Sequence, residues 1–193
     1  MVLELIQSGE TFSVPLFTRL NKYQYRNKDS IESVIRYITR TRPDEDRANE
    51  LIAYGSAAGC PYFKSPDEII AEFKYISQGS YKTQGSLLVH YSIAISDFLF
   101  SRMNSSYQNL AASMVECCRY IHDLGYQSCF AIHVSQMHKL HVHLVISTTN
   151  FRTGKKLNQY PKSLKISLEN PLTKIIMRYA RAYGFFPPEL SQI

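Results

Sequence analysis

The run Phe130-Ala-Ile-His133-Val-Ser-Gln-Met-His138-Lys-Leu-His141-Val-His143-Leu-Val-Ile-Ser147 carries four of the six histidines in the chain. One apolar segment, Cys129 to Ile132, enters it and another, Leu144 to Ile146, leaves it. Both are short and rich in β-branched or aromatic side chains, which predicts two strands. The polar piece from Ser135 to Lys139 is then the turn of a hairpin. Side chains alternate along a strand, so His141 and His143 face the same way, about 7 Å apart along the chain. His133, on the partner strand, can add a third imidazole to that face. Three neutral imidazoles on one hairpin make an open metal site, with the remaining positions left to water and substrate. The bland alternative is a His-Val-His pair on the wet face of an antiparallel hairpin. A third histidine where the strands pair favours the metal.

Composition narrows the class. The chain has 193 residues, enough for one domain (1–193) with a sizeable core. Its 45% hydrophobic and 20% charged content fits a folded globular chain and not a disordered one. No apolar run reaches the about 18 residues of a membrane span, and the N-terminus lacks the marks of a signal peptide. Cys60, Cys117, Cys118 and Cys129 form no Cys-x-x-Cys pair and read as reduced, mostly buried thiols, which points to the cytoplasm. The net charge of +6 suits a polyanionic partner. Fourteen tyrosines and no tryptophan supply rings that can stack on bases beside cations that hold phosphates.

Along the chain, Val2–Ile6 and Phe12–Phe17 read as short strands, the second confined to an edge by Pro15. Residues 20–28 are basic and rich in tyrosine. Asp29 and Ser30 read as caps of a helix with apolar positions Ile31, Val34, Ile35 and Ile38, closed by Pro43. Tyr37 lies near its end among Arg36, Arg40 and Arg42. Residues 44–50 read as charged surface, and 54–59 as a small-residue loop able to approach a phosphate. Ser65-Pro66-Asp67-Glu68 starts a second helix. Leu87–Ile95 reads as a central strand that places His90 towards the histidine pocket. Ser106–Leu124 is the longest helix, ended by Gly125. A basic turn with Arg152, Lys155 and Lys156 follows the hairpin, and a last helix starts at Asn170-Pro171. The fold class is α+β: a central, mainly antiparallel sheet flanked by helices.

These motifs resemble the relaxases of conjugative and mobilisable plasmids, members of the HUH endonuclease superfamily. Ile-His133, then His141, then Val-His143-Leu-Val-Ile-Ser is similar to their three-histidine motif. Arg36-Tyr37-Ile38-Thr39-Arg40 is similar to their N-terminal nucleophile motif. The order of elements agrees over most of the chain. One departure is Ser135, where many relaxases carry an acid two positions after the first histidine.

The resemblance implies a single-tyrosine enzyme that nicks and rejoins single-stranded DNA at an origin of transfer. Tyr37 would attack a phosphodiester and become joined to the 5′ phosphate. His133, His141 and His143 would hold a divalent ion. Three imidazoles favour Zn, Co or Ni by softness, whereas the resemblance implies Mg or Mn. His90 is the candidate for helping to remove the phenolic proton. Arg36, Arg40, Arg42, Arg152, Lys155 and Lys156 are candidates to hold DNA. Accessory DNA-binding proteins and a conjugative coupling protein are the implied partners. Competing readings are a replication initiator or transposase with a downstream nucleophile (Tyr179 or Tyr183), a zinc hydrolase with no covalent intermediate, and a non-catalytic basic DNA-binding module.

Overall fold

The computed structural model describes residues 14–20, 25–41, 49–56, 64–80, 84–135 and 139–181. Five strands, β1 (Leu16–Leu20), β2 (Asn49–Ser56), β3 (Leu88–Ile95), β4 (Tyr126–Ser135) and β5 (Leu140–Asn150), form one sheet in the order β1-β3-β5-β4-β2. Every neighbouring pair is antiparallel. The helices are α1 (Lys28–Ile38), α2 (Pro66–Gln78), α3 (Asp97–Arg102), α4 (Tyr107–Asp123), α5 (Pro161–Leu164) and α6 (Asn170–Arg181). A π-helical turn, Lys165–Glu169, joins the last two. This is the α+β architecture that the sequence pattern predicts. Among the described residues no helix is long and apolar enough to cross a membrane.

Strand alternation divides the sheet into two faces, each buried. Tyr91, Ile93, Phe130, Ile132, Val142 and Leu144 point to one face, where α3, α4 and α6 cover them. Leu88, Cys129, Ala131 and Val145 point to the other, beneath α1 and α2. His90, His133, His141 and His143 share the parity of this second set, so the sheet aims all four towards the α1 side. The middle strand β5 is buried on both faces, from Val142 through Asn150, with the apolar run Leu144–Ile146 at its centre.

Helix α1 is held by its apolar stripe. Ile31, Ile35 and Ile38 are fully buried, each worth about 1.5–3 kcal/mol relative to exposure. Its N-cap is Asn27, whose side chain accepts from the Ser30 amide, so Asp29 and Ser30 lie inside the first turn and are not the caps. The helix stops at Ile38, well before Pro43. The Thr39 hydroxyl folds back onto the Ile35 carbonyl at 2.8 Å, and Arg40 turns left-handed at φ 55°. Pro43 lies outside the described residues, as do the strand expected at 2–6 and Arg42. Helix α2 begins as expected, with a capping box between Ser65 and Glu68.

Four other expectations change. The segment 54–59 is not a phosphate loop in its first half, because Tyr54, Gly55 and Ser56 pair with β4 as part of β2. Gly55 is small because the Phe130 ring lies against it: a Cβ there would sit 3.0 Å from that ring. The first described strand starts at Leu16, directly after Pro15, and is an edge strand. The short helix α3 is an addition, capped by the Ser96 hydroxyl on the Leu99 amide. The last helical stretch begins earlier than Asn170, at Pro161. Cys117, Cys118 and Cys129 are free and buried, in keeping with reduced thiols; Cys60 lies outside the described residues.

The corner that leads from α4 into β4 sets where His133 arrives. Gly125 takes φ 90° there, and a Cβ would stand 2.4 Å from the Asn150 side chain. That side chain donates to the Leu124 carbonyl and accepts from the amides of Arg152 and Thr153. Gly125→Ala therefore combines backbone strain with loss of this clasp. It is expected to lower unfolding stability by about 1–3 kcal/mol or more in urea titration, whereas a change below a few tenths would contradict the role given to this corner.

Candidate metal centre

Register builds the site. His133 stands directly across from His141, and His143 lies opposite Ala131 two pairs further in, on the same face. The ring centroids are 5.5 Å apart for His133 and His141, 4.9 Å for His133 and His143, and 5.1 Å for His141 and His143. One nitrogen from each ring lies within 4.8 Å of the other two. On the outer side, β2 changes register between Leu51 and Ala53, at the level of His133. Such a bulge bends a strand and re-aims its neighbours, and bulges collect beside working sites.

The remaining ring nitrogens have partners, and these partners assign the protons. His133 Nε2 donates to the Ile38 carbonyl at 2.6 Å. His141 Nδ1 makes a long contact, 3.4 Å, with the Lys139 carbonyl. A carbonyl only accepts, so both nitrogens carry the hydrogen and leave His133 Nδ1 and His141 Nε2 as lone pairs. His143 Nδ1 bonds to His90 Nε2 at 2.9 Å. His143 Nε2 is buried and has no hydrogen-bond partner among the described residues. A buried polar atom in that condition carries a desolvation cost that a bound ion would remove. The donor set therefore fits a metal: three imidazole nitrogens on one face, one of them otherwise unsatisfied.

Electrostatics agree. Burial, as the largest cause, pushes His90 and His133 down from 6.5 to about 4 and His143 to about 2. Burial lowers His141 as well. The rings repel one another's protonated forms, and the Arg40 guanidinium adds to this at all three triad members. At neutral pH the triad is uncharged, which is the form that ligates.

Helix α1 delivers two more groups. The Tyr37 ring meets the His143 ring edge-on, with centroids 5.6 Å apart. Arg40 lies over the Tyr37 ring at 5.1 Å and brings Nη2 to 3.3 Å from His133 Nδ1. The left-handed turn at Arg40 lets a residue that follows the helix double back over Tyr37. Arg40 thus occupies the lone pair that a metal would take on His133.

The other expected site residues fall elsewhere. His90 is 3% exposed, with one nitrogen on His143 and the other 3.1 Å from the Tyr25 hydroxyl. Arg36 pairs with Glu32 and Asp67 on the outer side of α1 and α2. Arg42 is outside the described residues. Arg152 caps α4, donating to the carbonyls of Asp123 and His122. Lys156 donates to the Thr148 hydroxyl, and burial lowers its pKa; Lys155 is exposed. This basic turn does not overhang the metal group. Strand β5 runs on from His143 to Asn150 before reaching it, about 24 Å at a rise of about 3.4 Å per residue. Tyr179 packs against the core on the opposite face of the sheet and shares Glu116 with Arg178, so it does not join the histidines. Tyr183 is outside the described residues. Ser135 uses its hydroxyl to accept from the Lys139 amide in the turn. Tyr25 enters the site unannounced, marked in the sequence only by its place in a basic, tyrosine-rich stretch.

A family model described as relaxase, MobA/VirD2-like, nuclease domain, matches residues 37–185. The match begins at Tyr37 and includes the whole histidine hairpin. A search of curated proteins returned no match.

Two outcomes follow from this geometry. The triad and His90 have folded-state pKa values below the unfolded value near 6.5, so the unfolded chain takes up more protons as pH falls below that value. Stability in the metal-free protein is full above pH 6.5 and declines towards pH 4. Melting temperatures in EDTA are expected to drop by several degrees between pH 7 and pH 5 and less so with the triad replaced by asparagine; equal slopes would refute this. Arg40→Gln, by removing a competing cation from His133, is expected to tighten Mn2+ binding several-fold in calorimetric titration, and weaker binding would contradict the arrangement.

Proposed function

Because the chain belongs to the MobA/VirD2-like relaxase family as a nuclease domain, we propose that it nicks and rejoins one DNA strand at an origin of transfer through Tyr37. The family places it among the DNA endonucleases of plasmid mobilisation, which use a divalent metal ion. The observation that carries the finer reading is the edge-on contact of Tyr37 with His143, one of three histidines gathered on one face.

In this reading His133 Nδ1, His141 Nε2 and His143 Nε2 hold the ion. Once bound, the ion supplies Lewis-acid polarisation of the scissile phosphate. Tyr37 Oη gives up its proton to solvent and forms a bond to phosphorus while the bond from phosphorus to the 3′ oxygen breaks. The 5′ phosphate stays on the tyrosine, and the 3′ oxygen leaves and takes up a proton. Ionising a phenol near neutral pH is costly. Arg40, poised over the Tyr37 ring, offsets part of that cost as negative charge develops, and it can bond a phosphate oxygen once it has left His133. The phosphotyrosine is itself an ester, so attack by a 3′ hydroxyl reverses the step and reseals the strand.

Lys155, about 24 Å further along the sheet, would contact the same strand well away from the scissile phosphate. Exposed Tyr54 and Tyr75 offer rings for unpaired bases. The reaction would take place in the cytoplasm, with accessory DNA-binding proteins and a coupling protein as partners. Mg2+ or Mn2+ is the ion most in keeping with the family, while the all-imidazole set would also accept Zn2+, Co2+ or Ni2+. Tyr179 as nucleophile has the sheet between it and the triad.

The deciding experiment incubates wild type and Tyr37→Phe with labelled single-stranded oligonucleotides from the native origin, with Mn2+ or EDTA, on denaturing gels. A protein–DNA adduct is expected only in wild type with metal. An adduct in the Phe variant moves the nucleophile elsewhere. Cleavage with no adduct at any time point indicates direct hydrolysis.

A further inference from the structure

We infer that Tyr25 and His90 form a buried relay that sets the tautomer and orientation of His143 for metal binding. The inference rests on the three-histidine reading above and concerns residues outside the triad.

The hydrogen bonds decide the direction of the relay. His143 Nε2 faces the triad and has no hydrogen-bond partner among the described residues. If it carried the hydrogen, a buried donor would be stranded there. If it carries the lone pair, a metal completes it. The hydrogen then lies on His143 Nδ1 and is donated to His90 Nε2 at 2.9 Å. His90 Nε2, as acceptor, leaves the hydrogen on Nδ1, which donates to the Tyr25 hydroxyl at 3.1 Å. Only this tautomer pair satisfies both contacts while presenting a ligating nitrogen.

The relay is anchored at both ends. His90 sits in the ladder between β1 and β5, opposite Leu20 and Val145. Tyr25 is 7% exposed, and its carbonyl accepts from the Leu87 amide at 2.6 Å, just ahead of β3. Neither ring can swing away without breaking a main-chain contact or a buried bond. Both nitrogens of His90 are engaged, so it acts through His143 and is a positioning residue.

Metal-bound histidines usually give their second N–H to a carboxylate, a carbonyl or water, and loss of that partner typically costs about 10–100-fold in affinity. Here His133 and His141 use the carbonyls of Ile38 and Lys139, and His143 uses a neutral imidazole backed by a phenol.

The test is Mn2+ titration calorimetry without DNA on wild type, His90→Leu, His90→Gln and Tyr25→Phe, with Co2+ absorption spectra of each. His90→Leu is expected to weaken Mn2+ binding by about 10–100-fold and to alter the Co2+ spectrum. In His90→Gln the amide oxygen can accept from Nδ1–H and restores most of the affinity. Tyr25→Phe, which keeps the ring and removes only the hydroxyl, is expected to weaken binding a few-fold. Wild-type affinity in His90→Leu overturns the relay, as does a Gln variant no better than Leu. If the Leu variant does not fold, wild-type affinity in Tyr25→Phe overturns it. A wild type that binds no Mn2+, Co2+ or Zn2+ removes the three-histidine reading itself, a result distinct from metal binding that is insensitive to position 90.

Discussion

The hydrogen bond from His133 Nε2 to the Ile38 carbonyl, 2.6 Å long and buried, joins two halves of the site that lie 95 residues apart in the chain. It ties the C-terminal end of α1 to the hairpin and satisfies one of the carbonyls that any helix end leaves open. It also fixes which nitrogen of His133 keeps its lone pair. Tyr37 and Arg40 flank Ile38, so the bond that docks the helix also brings the phenol and the guanidinium to the imidazoles. The apolar stripe Ile31, Ile35 and Ile38 supplies the burial that makes the docking favourable. The left-handed turn at Arg40 then returns a cation over the ring that has just been delivered.

The site is neutral apart from Arg40. Three rings, a fourth imidazole behind them and a phenol behind that form a buried polar chain of neutral groups. Such a set gains little from protonation and much from a cation other than a proton, because burial has already removed the water that would solvate imidazolium. A relaxase substrate is a polyanion, so a cation held at the site is complemented when DNA arrives.

Legibility varied with the range of the interaction. The triad could be read because strand parity and a short turn place His133, His141 and His143 on one face with no further information. The sheet-and-helix class, the capping box at Ser65 and the left-handed Gly125 were equally local. Tyr37 stood out only through its resemblance to a nucleophile motif, since its own helix marks it as one more rim residue. Strand β2 was missed because Gly55 and its small neighbours look like a loop until the Phe130 ring that needs the space is in place. The basic turn at Arg152 was legible as charge and not as position: half of β5 separates it from the triad, and the Arg152 guanidinium is spent on the end of α4.

The sequence by itself determined which side chains share a face of a strand or helix, because those periodicities are properties of the backbone within a few residues. It therefore determined the histidine hairpin and the chemistry that neutral imidazoles allow. Tertiary structure decided which helix face meets that hairpin, that Arg40 rests on His133, that His90 bonds His143 in front of Tyr25, and that Tyr179 lies behind the sheet. Those outcomes depend on docking surfaces distant in the chain. The free energy of such docking comes from many buried contacts at once, and no short segment encodes it.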